Sequence, residues 1–482
     1  MLYAKCQVFT PINIVNDQLD YVGYTENLFG KKVLENSCGN GNFLSEIVHR
    51  YIIDSRKNGY SVSAIRQGLN SDIFGYEIDK THRDTCIANL NSISREYEIL
   101  NVDWNIYPED ALRANVGHKF DFVIGNPPYI KYSDLDKETR RFIKRQFTVC
   151  SEGKPDYYYA FIQSSIDLLN ENGKLAYIVP SNIFKTTYAR MLREYLEQYL
   201  SEIFDYKNTK IFGNKLTASA IILCDKGVRP DKITYHDMKN QSDSQVSYSN
   251  GKWLFDFSAS QSAEGKAKSY RFGDFFTASY PIATLLNEAF IIKNFEIMEG
   301  YIRVGDFLIE KDLLRKAVSP KSQSKKRNEF IIFPYIYKEG SIVRYTEEEF
   351  GMKFPEAFSY LQNYKERLMQ RDADLSAKWY EYGRSQALAH IPQDKLLIST
   401  LVTGNVKVYT LSSEYVPYSG IYIVAHNEKP LSLAKKILES PEFMSYVKSI
   451  GIHANGKSIR IAANDINNYC FDMTSFSDSV TV

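Results

Sequence analysis

Between about residue 30 and residue 225, short apolar runs alternate with stretches whose apolar positions recur at helical spacing. Lys32-Val33-Leu34 leads into a glycine turn, and Phe43, Leu44, Ile47, Val48, Tyr51 and Ile52 then mark one face of a helix. Buried strands are predicted over Ile73 to Ile78, Phe120 to Gly125, Lys174 to Val179 and Ala218 to Leu223. Helices are predicted over Tyr157 to Leu169, with Asn172-Gly173 as the stop, and over Arg190 to Leu200. Strands alternating with helices predict βαβ units, a mostly parallel doubly wound α/β sheet, and a ligand site at the carboxyl ends of the strands. The texture then changes. Residues 226–280 are rich in Ser, Gly, Asn and Lys and predict a linker with small irregular or β structure. Residues 281–482 mix strands (Phe330 to Tyr337, Leu396 to Leu401) with helices (Pro355 to Asp372, Leu431 to Glu439) and predict a separate α+β domain. The expected organisation is therefore 1–225, 226–280 and 281–482.

Composition alters this picture little. The chain has 482 residues, 44% of them hydrophobic, enough for two or three ordinary globular cores. No apolar run approaches the roughly 20 residues of a membrane span, and Met1 to Thr10 lacks the pattern of a secretion signal, so a cytoplasmic protein is expected. The six cysteines are scattered without a CxxC pair, which argues against a disulfide framework, and no metal site is expected. Lys+Arg 59 against Asp+Glu 58 leaves a net charge of +1, so a nucleic-acid partner must be held by local clusters of charge.

Candidate chemistry begins at Glu35-Asn36-Ser37-Cys38-Gly39-Asn40-Gly41-Asn42-Phe43, a strand end, a glycine turn and a helix start. Glycine serves where the backbone turns sharply and a ligand approaches. The dinucleotide fingerprint needs a third glycine where this chain has Leu44. Glu35 at the strand end would repel a pyrophosphate. Glu77, ending the next strand, can accept both ribose hydroxyls of a nucleoside. A nucleoside with a cationic sulfonium and an amino-acid tail, S-adenosylmethionine, satisfies these conditions.

Asn126-Pro127-Pro128-Tyr129 follows the strand Phe120 to Gly125 and is the most specific signal in the chain. Two prolines remove donors and stiffen the loop. The Asn126 side-chain oxygen and the Pro127 carbonyl can both accept from one NH₂ group, and Tyr129 offers a flat face to a base. Such positioning of an exocyclic amine beside a methyl donor is what an in-line displacement requires.

The glycine segment followed by Asn126-Pro127-Pro128-Tyr129 resembles the gamma-class DNA adenine-N6 methyltransferases of type II restriction–modification systems. The resemblance covers residues 1–225 well and the rest more weakly. It implies a Rossmann-like S-adenosylmethionine-dependent methyltransferase sheet with a C-terminal target-recognition domain. It also implies a flipped adenine in duplex DNA as substrate and direct transfer to N6 without a covalent intermediate. By this resemblance Asn126, Pro127, Pro128 and Tyr129 are catalytic, and Asn126 also borders the cofactor. Thr10 and Pro11, Glu35, Ser37, Gly39, Gly41, Phe43, Glu77 and Ile78 surround the cofactor, and Asp103 contacts its adenine amino group. Phe212 faces the target base opposite Tyr129. The family usually has proline where this chain has Asn36. Residues 54–72 are a longer-than-usual stretch, expected to be a helical insertion. The implied partners are double-stranded DNA and a cognate restriction endonuclease that acts on the same site without a stable complex.

In the second half, Lys321, Lys325, Lys326 and Arg327 form a basic run suited to phosphates. Arg384 and Gln386, in Trp379-Tyr380-Glu381-Tyr382-Gly383-Arg384-Ser385-Gln386, can bond guanine and adenine bidentately. The competing expectations are a solvated basic loop for the first and an aromatic core segment for the second. Lys457 and Arg460 are a weaker candidate. Other readings of the whole chain are an adenine methyltransferase acting on RNA, a protein-glutamine methyltransferase, a fused restriction–modification enzyme, and an inactive DNA-binding subunit. The large C-terminal half favours a duplex reader over the protein modifier. The chain begins almost at the cofactor motif, which leaves no N-terminal nuclease expected.

Overall fold

The computed structural model describes residues 10–207, 209, 211–212, 218–246, 253, 269–426, 429–454 and 458–479. Val8, Phe9, Gly213, Asn214 and Lys457 lie outside them. The chain forms two compact units that divide between residues 255 and 256.

The first unit opens with α1 (Ile12–Val22), whose apolar face buries Ile14, Val15, Leu19 and Val22. It ends on Gly23, whose left-handed φ of 79° lets the chain leave the helix. Then follow β1 (Val33–Glu35), α2 (Asn42–Lys57), α3 (Val62–Asp72), β2 (Ile73–Tyr76), α4 (Lys80–Glu96), β3 (Asn105–Tyr107) and β4 (Phe120–Gly125). After them come α5 (Lys137–Gln146), α6 (Tyr158–Asp167), β5 (Leu169–Pro180), α7 (Arg190–Leu196), β6 (Leu200–Asp205) and β7 (Ser219–Asp225). Polar caps start several of these helices. Ser61 accepts from Ala64 N at α3, Asp79 from Thr81 N and His82 N at α4, and Asp136 from Thr139 N at α5. The insertion expected over 54–72 is the end of α2 and α3.

The sheet order is β3-β2-β1-β4-β5-β7-β6, continued by β8 (Ile233–Asp237) and β9 (Ser242–Val246). Strands β1 to β5 run parallel, and β7 is antiparallel to both β5 and β6. This is the doubly wound Rossmann-like sheet that the alternation of strands and helices predicts. Strand alternation sends Leu34, Val123, Leu175 and Tyr177 into a core with α6, and Val33, Ile124, Ala176 and Ile178 into the opposite core with α1 and α2. The order reverses at β1, which pairs with β2 on one side and β4 on the other. A crevice opens there at the carboxyl ends.

Two expectations need correction. The region 226–280 is not one linker. Ile233 and Tyr235 are buried at alternate positions, and β8 pairs with β6 and β9 with β8, so residues 233–246 extend the first sheet. The strands Ser269–Arg271 and Phe276–Ser279 already belong to the second unit. Asn172-Gly173 also does not stop α6, which ends at Asp167. Gly173 lies at an irregularity between β4 and β5, where Phe120 faces Leu169 but Phe122 faces Lys174. A Cβ on Gly173 would lie 2.7 Å from the Phe120 carbonyl oxygen, so the close approach requires glycine.

The second unit is α+β. One four-stranded sheet holds Phe276–Ser279, Ile421–Ala425, Lys395–Ile398 and Tyr409–Leu411, and another holds Ile291–Ile292, Glu329–Ile332, Leu314–Val318 and Tyr415–Pro417. Helices Pro355–Gln362, Leu431–Leu438 and Pro441–Ile450 pack their apolar faces into its cores. Among the described residues, no helix is long and apolar enough to cross a membrane.

Candidate active site

The crevice at the carboxyl ends of β1, β2 and β4 is a cavity of about 1020 Å³ that is open to solvent. Its walls include Thr10, Glu35, Ser37, Gly39, Phe43, Glu77, Ile78, Asp110 and all four residues Asn126 to Tyr129. The glycine turn and the proline corner, 85 or more residues apart in sequence, therefore face one space.

The corner is held from several sides. Asn126 Nδ2 donates to Thr10 Oγ1 (3.2 Å), and the Asn126 carbonyl accepts from Ser37 Oγ (3.1 Å). Gln18, on the otherwise apolar face of α1, donates through Nε2 to the carbonyls of Gly125 (2.9 Å) and Ala176 (2.6 Å). It thus ties the end of β4 to the interior of β5 just before the corner. Tyr129 donates its hydroxyl to the Ile178 carbonyl (2.6 Å) and meets Tyr158 edge to face at 5.6 Å. Burial pushes the Tyr129 phenol well above its ordinary pKa, so it stays a neutral donor.

On the cofactor side, Gly39 has φ 52°, and no atom stands within 4 Å of where its Cβ would be. Its N–H donates to Glu77 Oε2 and that of Asp79 to Glu77 Oε1, both at 2.9 Å. The Glu77 carboxylate is thus aimed by the backbone at the turn. Ile78, beside it, is 44% exposed, an apolar surface facing the crevice. Glu35 is 2% exposed, and its Oε2 lacks a hydrogen-bond partner. Burial, then Cys86 and Glu77, push its carboxyl well above the usual range. Gly125 makes room for it, since a Cβ there would lie 3.3 Å from Glu35 Cγ. An orphaned buried carboxyl, an aimed carboxylate and an exposed apolar side chain match the ammonium tail, ribose and base of S-adenosylmethionine. Asn36, where the resembled family has proline, donates to Ser165 Oγ (2.9 Å) and accepts from the Tyr177 hydroxyl. Its polar side chain is satisfied inside the fold.

Several expected residues lie elsewhere. Asp103 is absent from the crevice. It precedes β3 and so sits at the opposite edge of the sheet, where its N–H donates to Asn70 Oδ1. Asp110, which follows β3, lines the crevice instead, and it accepts from Leu112 N and the Tyr157 hydroxyl. The signal for it is an acid just past a strand end, hidden because Asn105-Ile106-Tyr107 is too short to show the alternation of a strand. Phe212 does not face Tyr129 across the crevice. It is 8% exposed, in the core that holds Ile14, Phe204 and Tyr206. Pro11 precedes the first turn of α1 and does not line the crevice. Gly41 does not line it either. It has φ 85°, and a Cβ there would stand 2.6 Å from Cys86 Sγ, so glycine at this position serves the packing of α2 on α4.

In the second unit, Lys321, Lys325, Lys326 and Arg327 are exposed around the short helix Pro320–Ser324, with no acidic partner among the described residues. Arg384 is not a free guanidinium. It binds Asp374 Oδ1 (2.6 Å), the Asp372 carbonyl (2.8 Å) and Asp372 Oδ2 (3.4 Å). Tyr380 and Tyr382 are fully buried, so this segment is core, while Gln386 is exposed.

Fold and crevice together define an S-adenosylmethionine-dependent methyltransferase. Residues 45–212 match the family described as Eco57I restriction-modification methylase. The chain is 24% identical to the Type II methyltransferase M.BstVI of Geobacillus stearothermophilus, over 95% of this chain and 88% of that protein. It is 26% identical to the Type II restriction enzyme and methyltransferase RM.Eco57I of Escherichia coli, over 83% of this chain but 49% of that protein. Among solved structures it resembles the Type IIL restriction-modification enzyme MmeI in complex with DNA. The TM-score there is 0.59 at 14% identity, covering 97% of this chain and 64% of that one. The chain thus spans most of one relative and about half of the other.

Proposed function

We propose that this protein is a site-specific DNA methyltransferase that transfers a methyl group from S-adenosylmethionine to N6 of an adenine flipped out of the duplex. The observation that carries this reading is the shared crevice of Asn126 to Tyr129 with Glu35, Gly39 and Glu77. Bound there, the cofactor supplies an electrophilic methyl. Glu35 would hold its ammonium, Glu77 its ribose hydroxyls, and Ile78 its base, with Asp110 at the same wall.

Extruding the adenine costs a few kcal/mol. Stacking on Tyr129 returns on the order of 1–3 kcal/mol, and the Ile178 hydrogen bond holds that ring in place. With its NH₂ committed to Thr10, the Asn126 amide presents its oxygen as an acceptor. That oxygen and the Pro127 carbonyl accept hydrogen bonds from the two N6–H groups and orient the nitrogen lone pair toward the methyl. The partner is double-stranded DNA. The second unit is the target-recognition domain, with Lys321, Lys325, Lys326 and Arg327 on phosphates and Gln386 exposed for base contact. The biological role is protection of host DNA from a cognate restriction endonuclease.

Tritium transfer from labelled cofactor into duplex DNA tests this. Asn126→Ala and Tyr129→Ala should each lose most transfer, on the order of a hundredfold, while binding the cofactor as before. Label appearing in RNA or protein but not DNA, or unchanged turnover in both variants, would refute it.

A further inference from the structure

We infer that α5 is a phosphate clamp on the catalytic unit, gripping the backbone of the duplex beside the proline corner. The inference rests on the DNA reading above and adds a partner surface to it, outside the second unit.

Helix α5 carries Lys137, Arg140, Arg141, Lys144 and Arg145 against one acid, Glu138. Thr139 and Ile143 are buried, and Phe142 packs on the core. Lys137, Arg141 and Arg145 are exposed and four residues apart, a stripe with steps of about 6 Å along the axis. None of the three has a carboxylate partner among the described residues. Like charges four apart repel, and Lys137 sits in the first turn, where the helix dipole disfavours a cation. The stripe works against the helix until an anion covers it.

The helix is also bolted to the site. Arg140 donates through Nε to the Tyr132 carbonyl (2.9 Å) and through Nη2 to that of Ser133 (2.6 Å). That loop leaves the corner through Ile130, which lines the crevice and whose carbonyl accepts from Tyr157 N (2.9 Å). On the other side, Arg113 lies 4.2 Å over the Phe142 ring, 3.4 Å from Glu138 and 3.5 Å from Asp110 of the cofactor wall. A strand held on this stripe would be registered against both the base-gripping corner and the cofactor wall. Phosphate contacts do this without reading sequence.

The test is a salt titration of duplex binding by the full chain and by Lys137→Gln/Arg141→Gln/Arg145→Gln. Each lost phosphate contact flattens the log–log salt slope by about 0.9, so the triple variant should be shallower by about 2.7. Its thermal unfolding and cofactor affinity should match those of the parent, and Arg141→Lys should keep the parental slope. An unchanged slope in a triple variant that is folded and binds the duplex overturns the clamp and leaves the methyltransferase reading intact. A larger slope change on single-stranded RNA than on duplex overturns the assignment to DNA. Failure of the parent chain to bind duplex in a salt-dependent way sinks the DNA reading, and the clamp with it.

Discussion

Glu35 holds a carboxyl oxygen in the protein interior with no donor to meet it. An unfolded chain releases this proton near pH 4.3, whereas the folded, cofactor-free protein keeps it to higher pH. Between those two values the folded state binds the extra proton, so stability falls as pH rises through the unfolded value. Glu35→Gln cannot ionise. Its melting temperature should therefore decline less than that of the parent between pH 5 and pH 7, as thermal scans across that range will show. The same variant should bind the cationic cofactor about tenfold or more weakly, because a charge-assisted contact is lost. An identical pH trend in parent and variant would remove Glu35 from this role.

Among the elements, the turn between β1 and α2 does two separate jobs with two glycines. Gly39 leaves open space for a ligand, while Gly41 admits Cys86 of α4. Gly41→Ala forces both a left-handed alanine and an overpacked contact, and should cost about 2 kcal/mol in urea unfolding. Its effect on cofactor binding should follow only from the loosened turn. Helix α1 acts on the other side of the crevice through Gln18, the polar residue on its apolar face. Its two bonds satisfy a carbonyl at the end of β4 and one inside β5. The corner Asn126 to Tyr129 is held by Thr10 in the chain before α1, Ser37 in the turn after β1 and Ile178 in β5, as well as by its prolines.

For the whole molecule, the division near residue 255 leaves every wall of the crevice within the first unit. A chain ending at that division should bind S-adenosylmethionine with parental affinity, as calorimetry can measure. If the second unit reads the target, the shortened chain should lose at least about a thousandfold preference for its site over other duplexes. A shortened chain that keeps its preference would move recognition into the first unit.

Alternating apolar runs, a glycine turn and a proline corner predict a doubly wound sheet and set Glu35, Gly39, Glu77 and Asn126 to Tyr129 near its carboxyl edge, where the structure has them line one crevice. These features act within a few residues of backbone, so they are written locally. Glu35, Gly39, Glu77, Asn126 and Tyr129 converge because each follows or ends a parallel strand, and parallel strands share one carboxyl edge. Tertiary structure alone decided the rest. It put Asp103 on the far edge and Asp110 in the crevice through a strand of three residues, too short to show a period. It buried Phe212 in a core and neutralised Arg384 with Asp372 and Asp374. It also added two polar strands to the first sheet. Which side chain is buried, and which charge finds a partner, depends on surfaces that meet only after the chain has folded.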